Sequence, residues 1–486
     1  MQKKFLANLI LLLTLNLLIK PFYIFGIDLS VQNVVGTDYG IYFVVFNFSF
    51  LFSILLDFGI TNFNNRNIAQ NNQLLNKHFS RILVAKLMLA LGYFLVTFLI
   101  ALIIGYHGIK LHYLAFLAIN QFLISFIFYL RSNISGLLLF RTDSFLSVLD
   151  RILLIIICGI LLWGGVAPGP FRIEWFIYAQ TASYGLTAVI ALLVVIRKAA
   201  FRRLSWNWPF IVMILRKSFP FALLTLLMTF YNRIDSVMID KLLPSLDGKE
   251  QVTIYASAFR ILDAVNMIAY LFSVLLLPIF SKMLKTGDPV VHMVKLSFTL
   301  LITVALIISL GCYFYSDELM DMLMVAHVQQ SSDVFRIMMF GFIAISSGYI
   351  FGTLLTANGS LWHLNLIAGG SMLLSIILNL LLIPRFLAVG SAWASVITQF
   401  ASMIAQMIMV WYIFRFRISW RFILTLTGLI AGLIAINLIT KMLPVTWYFG
   451  FILMIVLSLI LAFVLRFIRF SALAGILSES SAKAEK

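Results

Sequence analysis

Six of the 35 Lys and Arg residues fall inside long apolar runs: Lys20, Lys86, Arg151, Arg233, Arg260 and Arg336. A cation in a hydrocarbon interior is disfavoured by about 2.5–3.5 kcal/mol or more unless it faces protein, water or a ligand. Counting about 1.5 Å per residue from the expected ends of their helices, Lys20, Arg233 and Arg260 lie roughly 9 Å from one face. Lys86 and Arg151 lie at a similar distance from the other, with Arg66 and His363 near the same boundary. Two tiers of cations could hold an anion whose charge is spread over many oxygens, such as a diphosphate. Lys20, Arg66, Lys86, Arg151, Arg233 and Arg260 are therefore the candidate binding residues. The plainer account is that long cationic side chains snorkel along their own stems to nearby headgroups, and it applies most directly to Lys86 and Arg336. Asp57, Asp150, Asp235 and Asp263 are candidates for charge pairing or for coupling to protons or cations. Arg260 and Asp263, three apart on one helix, can neutralise each other.

Other chemistry is absent from the sequence. No Gly-rich phosphate loop ends in Gly-Lys-Ser/Thr; the Gly-Lys at Gly248 lacks the earlier glycine. No His-Glu-x-x-His or Cys-x-x-Cys spacing occurs, so neither a metal nor a cofactor is expected. Cys158 and Cys312 read as small apolar fillers. The acidic group Asp317, Glu318 and Asp321 has no evident partner motif, and the connections are too short for a separate catalytic domain. The polar segment after the second apolar run, with Asn62, Asn64, Asn65 and Arg66, is either an interfacial contact for sugar or phosphate or a solvated connector.

The elements that must position these residues are helices in lipid. With 62% apolar and 11% charged residues, the 486-residue chain could not cover its apolar surface in water. Runs of about 20 apolar residues, each long enough to span ~30 Å of hydrocarbon, recur throughout. Helices are expected at 5–26, 38–58, 81–105, 112–130, 145–163 and 173–196, then at 218–239, 254–280, 296–314, 333–356, 361–383 and 389–414, and finally at 422–440 and 446–465. The fold class is an all-α integral membrane protein of about 14 transmembrane helices. It divides into a six-helix lobe (1–196), a basic cytoplasmic linker (197–217), a second six-helix lobe (218–414) and a helix pair with a polar tail (415–486). The formal charge of +17 would suggest nucleic acid in a soluble protein, but no soluble domain presents a basic face. The connections on the N-terminal side of the membrane carry about 23 Lys and Arg and the others about 6, which places both termini in the cytoplasm. The first apolar run has no small-residue cleavage site and reads as a retained helix. The lobes also repeat weakly: Ile27-Asp28 and Tyr39-Gly40 match Ile234-Asp235 and Tyr255-Ala256, with about nine extra residues around PSLDGKEQVT in the second.

The strings IKPFYIFGIDLSVQNVVGTDYGIYF, LLDFGITNFNNRNIAQ, YNRIDSVMIDKLL and YASAFRILDAV, set in a six-plus-six-plus-two layout, resemble the polysaccharide flippases of the multidrug/oligosaccharidyl-lipid/polysaccharide exporter superfamily, of the O-antigen (lipopolysaccharide) type. The resemblance implies two six-helix lobes around a cationic central cavity that opens alternately to each side. It implies passage of an undecaprenyl-diphosphate-linked oligosaccharide from the inner to the outer leaflet of the bacterial inner membrane. In such relatives helices one, two, seven and eight line the cavity, which would place Lys20, Arg233 and Arg260 on it. Membrane lipids and glycan polymerase or assembly proteins are the partners it implies. Three readings compete: a flippase for the lipid-linked peptidoglycan precursor, a multidrug extruder of the same superfamily, and a membrane polysaccharide polymerase or ligase. The last would be expected to carry a large outer loop with catalytic residues.

Overall fold

The computed structural model describes residues 14–467 except 17, 62–63, 65–67, 69–72, 138, 166–168, 199–205, 244, 417–419 and 466. Among the described residues there is no strand, and twelve helices are long and apolar enough to cross a membrane. In chain order the described α-helical elements, these twelve and two shorter ones, are α1 (Thr14–Val35), α2 (Asp38–Leu51), α3 (Leu74–Ile103), α4 (Ile109–Gly136), α5 (Phe140–Trp163), α6 (Ile173–Ile196), α7 (Trp208–Leu242), α8 (Ser245–Thr286), α9 (Val291–Phe314), α10 (Ser316–Leu323), α11 (Val328–Ala357), α12 (Leu361–Phe414), α13 (Trp420–Met442) and α14 (Trp447–Val464). Of these, α2 is apolar but short, and α10 is a connector of eight residues. Element α12 is two helices joined across a kink at Leu387, whose φ is 56°. The chain is a multi-pass membrane protein.

Several boundaries differ from the sequence expectation, each for a local reason. Helix α1 was expected to end at 26 but runs to Val35, through a π-helical turn at Tyr23–Asp28. Helix α2, expected to reach 58, stops at Leu51; a tight 3₁₀ turn, Ser53–Leu56, follows, because the Leu56 carbonyl is taken by Lys86 and Ser125 from neighbouring helices. Helix α7 begins ten residues earlier than expected, where Asn207 accepts a hydrogen bond from the Phe210 amide at 3.0 Å and Pro209 occupies the first turn. From Ser245 onward the stretch PSLDGKEQVT, expected as an insertion between helices, supplies the first turns of α8, with Asp247 suited to the positive end of the helix dipole.

Packing divides the chain into two compact units, residues 1–253 and 254–486. In the first, α3, α4, α5 and α6 bury Phe79, Ile82, Tyr129, Leu130, Leu146 and Ala191 in one apolar cluster. Helix α7 joins this unit through Ile211 and Ile214 and packs along α2. In the second, α9 packs on α11 and α11 on the second half of α12. Small residues line these contacts: the Ser309 hydroxyl of α9 donates to the Met339 carbonyl of α11 at 2.7 Å, and Gly352 of α11 leaves room for the Gln406 side chain of α12. Without a hydrophobic force between helices in lipid, close packing of small residues and internal hydrogen bonds must hold them together.

Helices α13 and α14 dock on α9 through Leu306, Leu310, Leu429, Leu433 and Ala462. Two of the three acidic residues of α10, which lacked a partner motif in the sequence, are paired. Arg336 reaches both carboxylate oxygens of Asp317 at 3.0 Å, and Lys441 of α13 pairs with Glu318 at 3.2 Å. Tyr315 adds a 2.9 Å hydrogen bond to Thr440. Arg336 is thus fixed by a carboxylate from the neighbouring connector.

The kink in α12 rests on one close approach: a Cβ on Gly390 would lie 2.3 Å from the Leu382 carbonyl oxygen, a backbone atom that cannot step aside. Gly390→Ala is expected to lower stability by about 1–3 kcal/mol. The control Gly370→Ala, where a Cβ meets nothing within 4 Å, should be neutral. Thermal unfolding of the two purified variants checks this.

Candidate functional site

The intramembrane cations of the first unit fall into three environments. Lys86 on α3 is 2% exposed. Its ammonium, with three donors, bonds the Asp57 carboxylate, the Leu56 carbonyl at 3.0 Å and the Ser125 hydroxyl at 3.0 Å, over the ring of Tyr129. Asp57 also accepts from the Thr61 hydroxyl and backbone amide. Every donor of Lys86 is therefore used where α2, α3 and α4 meet.

Arg233 on α7 lies over the ring of Phe50, 5.2 Å from its centroid, and donates to Asn47 at 3.5 Å. Asn47 in turn donates to Ser236 at 3.1 Å, so α2 and α7 share one polar strip. Asp235, beside it on α7, is buried.

The third environment joins α1, α5 and α6. The Arg151 guanidinium sits 4.6 Å from the ring centroid of Tyr23 and 5.7 Å from that of Tyr184, with Asp150 at 3.6 Å. Lys20, one helical turn before Tyr23, lies within electrostatic reach of Arg151, Asp150 and Arg131. Arg131 is itself neutralised by Asp143 at 2.8 Å. A 3.0 Å hydrogen bond from Asn16 to Ser147 fixes α1 against α5, and Tyr39 donates to the buried Asp28 at 3.1 Å. Nearby, Gln180 donates to the Tyr42 hydroxyl at 2.8 Å. Among the described residues Lys20 is held by no hydrogen bond or ion pair, and the contacts of Arg151 leave donors of its five-donor fork for a ligand.

The two-tier arrangement expected from the sequence does not hold for these two residues. Helix α5 starts at Phe140 rather than 145, so Arg151 lies about 16 Å into it. Helix α1 runs on to Val35, so Lys20 lies about 22 Å from that end. The shifted boundaries bring Lys20 and Arg151 into one cluster. Arg66 lies outside the described residues, whereas Asn64 is described and buried, donating to Ser132 at 2.8 Å and to Asn133 at 3.1 Å. Arg260 and Asp263 are half-buried on α8 in the second unit. Tyr23, Tyr184 and Asn47 were missed in the sequence. Tyr23 had a readable signal, since it lies three residues from Lys20 on one helical face; Tyr184 and Asn47 meet their cations across helices and had none.

If Lys86 and Asp57 serve each other, Lys86→Met should destabilise the protein, and adding Asp57→Asn should return about 1–3 kcal/mol as a coupling energy. Thermal unfolding of the two single variants and the double variant measures that coupling; additive losses would mean that the pair has no such structural role.

A family model described as "Polysaccharide biosynthesis protein" matches residues 5–284, more than half of the chain. A search of curated proteins finds no match. Among solved structures, the chain is similar to the lipid II flippase MurJ in its inward closed conformation, with a TM-score of 0.71 at 13% identity over 93% of this chain and 98% of that one. It is also similar to a multidrug resistance MATE family transporter of the MOP superfamily in an inward-facing conformation (TM-score 0.59, 15% identity, 82% of this chain and 94% of that one). A third match is a MOP superfamily transporter from Pyrococcus furiosus (TM-score 0.58, 14% identity, 84% and 95%). At these identities the likeness shows a shared fold. By the family match, over more than half of its length, the chain belongs to the polysaccharide biosynthesis protein family.

Proposed function

We propose that the protein is a flippase for an undecaprenyl-diphosphate-linked oligosaccharide of O-antigen type, carrying it from the inner to the outer leaflet of the bacterial cytoplasmic membrane by alternating access. The observation that carries this reading is the contrast between two cations: Lys86 has all its donors taken by protein, whereas Arg151, beside Lys20, is clasped mainly by aromatic rings. Guanidinium and ammonium groups left with free donors in a lipid-embedded protein suit a ligand with many anionic oxygens. Lys20 and Arg151 would hold the diphosphate, with Arg233, Arg260 and Arg66 as further contacts, while the lipid tail stays in the bilayer. Lys86 with Asp57 then serves the fold, and Asp235 and Asp263 serve charge pairing or coupling.

In this reading the chain crosses the membrane 14 times, counting α2 and both halves of α12, with both termini cytoplasmic. Helices α1–α6 and α7–α12 form the two lobes, joined by the basic linker, and α13–α14 is an accessory pair. The protein acts as a transporter rather than an enzyme, uses no cofactor and works beside enzymes that assemble and polymerise the glycan. A flippase for the lipid-linked peptidoglycan precursor is the second reading, favoured by the likeness to the lipid II flippase.

Deleting the gene should leave the undecaprenyl-linked glycan on the cytoplasmic leaflet. Wild-type protein should restore outward display; Lys20→Ala and Arg151→Ala should reduce it about tenfold or more, as loss of a charge-assisted contact of about 1.5–3 kcal/mol requires. Arg151→Lys should rescue only in part, because the stacked, planar fork is lost. Normal display of every lipid-linked glycan without the protein would overturn the flippase reading. Full rescue by both Ala variants would remove the site assignment alone.

A further inference from the structure

At the end of the first unit that carries the α1–α2 turn and the α3–α4 loop, the last residues of α7 and the first turns of α8 meet the neighbouring helices. Lys110, at the start of α4, places its ammonium 2.7 and 2.6 Å from the two carboxylate oxygens of Asp240, near the end of α7. The next residue, Lys241, donates to the Ile104 carbonyl at 2.8 Å. Both ammonium groups lie over the ring of Tyr106, 5.2 Å from its centroid for Lys110 and 4.8 Å for Lys241. A few residues on, the first turns of α8 meet α1 and α2. Gln32 donates to the Thr253 carbonyl at 3.3 Å, and Gly40 comes so close that a Cβ there would lie 2.6 Å from both the Lys249 carbonyl oxygen and the Thr253 hydroxyl. Deeper along α7, the Asn47 to Ser236 hydrogen bond continues the seal toward Arg233.

The chemistry of this closure is that of a fastening which can come undone. An ion pair whose carboxylate is 6% exposed and whose ammonium is 21% exposed gains attraction in a poor solvent but loses much of its hydration, so its net strength is small. The closed state also carries a fixed cost. The Tyr106 hydroxyl is fully buried and has no hydrogen-bond partner among the described residues, and opening the loop to water would satisfy it. The burial raises the Tyr106 hydroxyl well above the ordinary tyrosine pKa, with Asp240 adding to the effect, so the ring stays neutral beside the two cations. The Tyr106 ring also packs on Phe48, with ring centroids 5.0 Å apart, so the fastening combines two lysines, one carboxylate, an aromatic contact and a glycine crossing.

We propose that Lys110 and Asp240, with Tyr106 in contact with both Lys110 and Lys241, form a latch that closes the ends of α7 and α8 onto the α1–α2 turn and the α3–α4 loop and releases them during the transport cycle. The proposal rests on the reading of the chain as an alternating-access transporter. It names the fastening, and its test needs no transported glycan.

In a background in which Cys158 and Cys312 are replaced by Ala, Ser236→Cys places a thiol beneath the latch, at a position now buried. Its reaction with a membrane-impermeant maleimide is measured in right-side-out and inside-out vesicles. Lys110→Gln and Asp240→Asn should each raise labelling from one side about tenfold, the population shift that ~1.4 kcal/mol of lost closure gives. The charge swap Lys110→Asp with Asp240→Lys should bring it back toward the parent. Gly40→Val, which wedges the crossing without touching a charge, should raise labelling from the same side. Parental labelling in both single variants, at parental membrane levels, would overturn the latch. So would a charge swap that leaves labelling as high as the single variants do. A raised, swap-reversible signal in a protein that moves no lipid-linked glycan would keep the latch and remove the substrate assignment.

Discussion

Taking a charged group out of water and into lipid is costly enough that it constrains everything around it. In this protein the constraint is met in different ways, and the differences sort the cations by role. Where α2 breaks, Lys86 finds a carboxylate, a freed carbonyl and a hydroxyl, one for each of its donors. The break in α2 and the burial of Lys86 explain each other: a carbonyl released from a helix needs a donor, and a buried ammonium needs acceptors. Around Arg336 a short connector supplies the carboxylate, and the same connector gives Glu318 to Lys441, so the charge that stabilises one helix also docks another. Around Arg151 the partners include two ring faces, which stabilise a cation through their electron density, so that Tyr184 and Asp150 occupy only part of its five-donor fork.

Much of the architecture could be read from the sequence, because lipid imposes a simple rule on length and polarity. Helices α4, α6, α9 and α11 lie close to where apolar runs put them, since each must satisfy its own backbone. The ends were harder. A helix can continue past the apolar run into polar residues, as α8 does upstream of Val252 and α1 does beyond Gly26. Hydropathy stops at the edge of the lipid, whereas hydrogen bonding and capping decide where the helix stops. The same uncertainty displaced the site: depths counted from hydropathy edges separated Lys20 from Arg151, whereas the true helix ends bring them together.

The candidate residues themselves were legible as types, since an Arg or Lys in an apolar run stands out. Their partners were legible only where they lay on the same helix. Asp57 for Lys86 and Asp240 for Lys110 come from distant parts of the chain, 29 and 130 positions away, and no periodicity links them. Tyr184 is one aromatic among many in a chain that is 15% aromatic, so nothing in its sequence context marks it as a wall for Arg151.

The π-helical turn at Tyr23–Asp28 has a consequence for how the family can diverge. Such a turn holds one residue more than a regular α-helix. Losing one residue from YIFGID would straighten α1 and rotate everything before it by about 100° relative to everything after it. Asp28 and Tyr39 would keep their bond, while Lys20 would turn away from α5. In relatives, a single-residue gap at this point would therefore separate chains that present a cation to Arg151 from chains that present another side chain there, and changes of substrate charge would be expected to follow that gap.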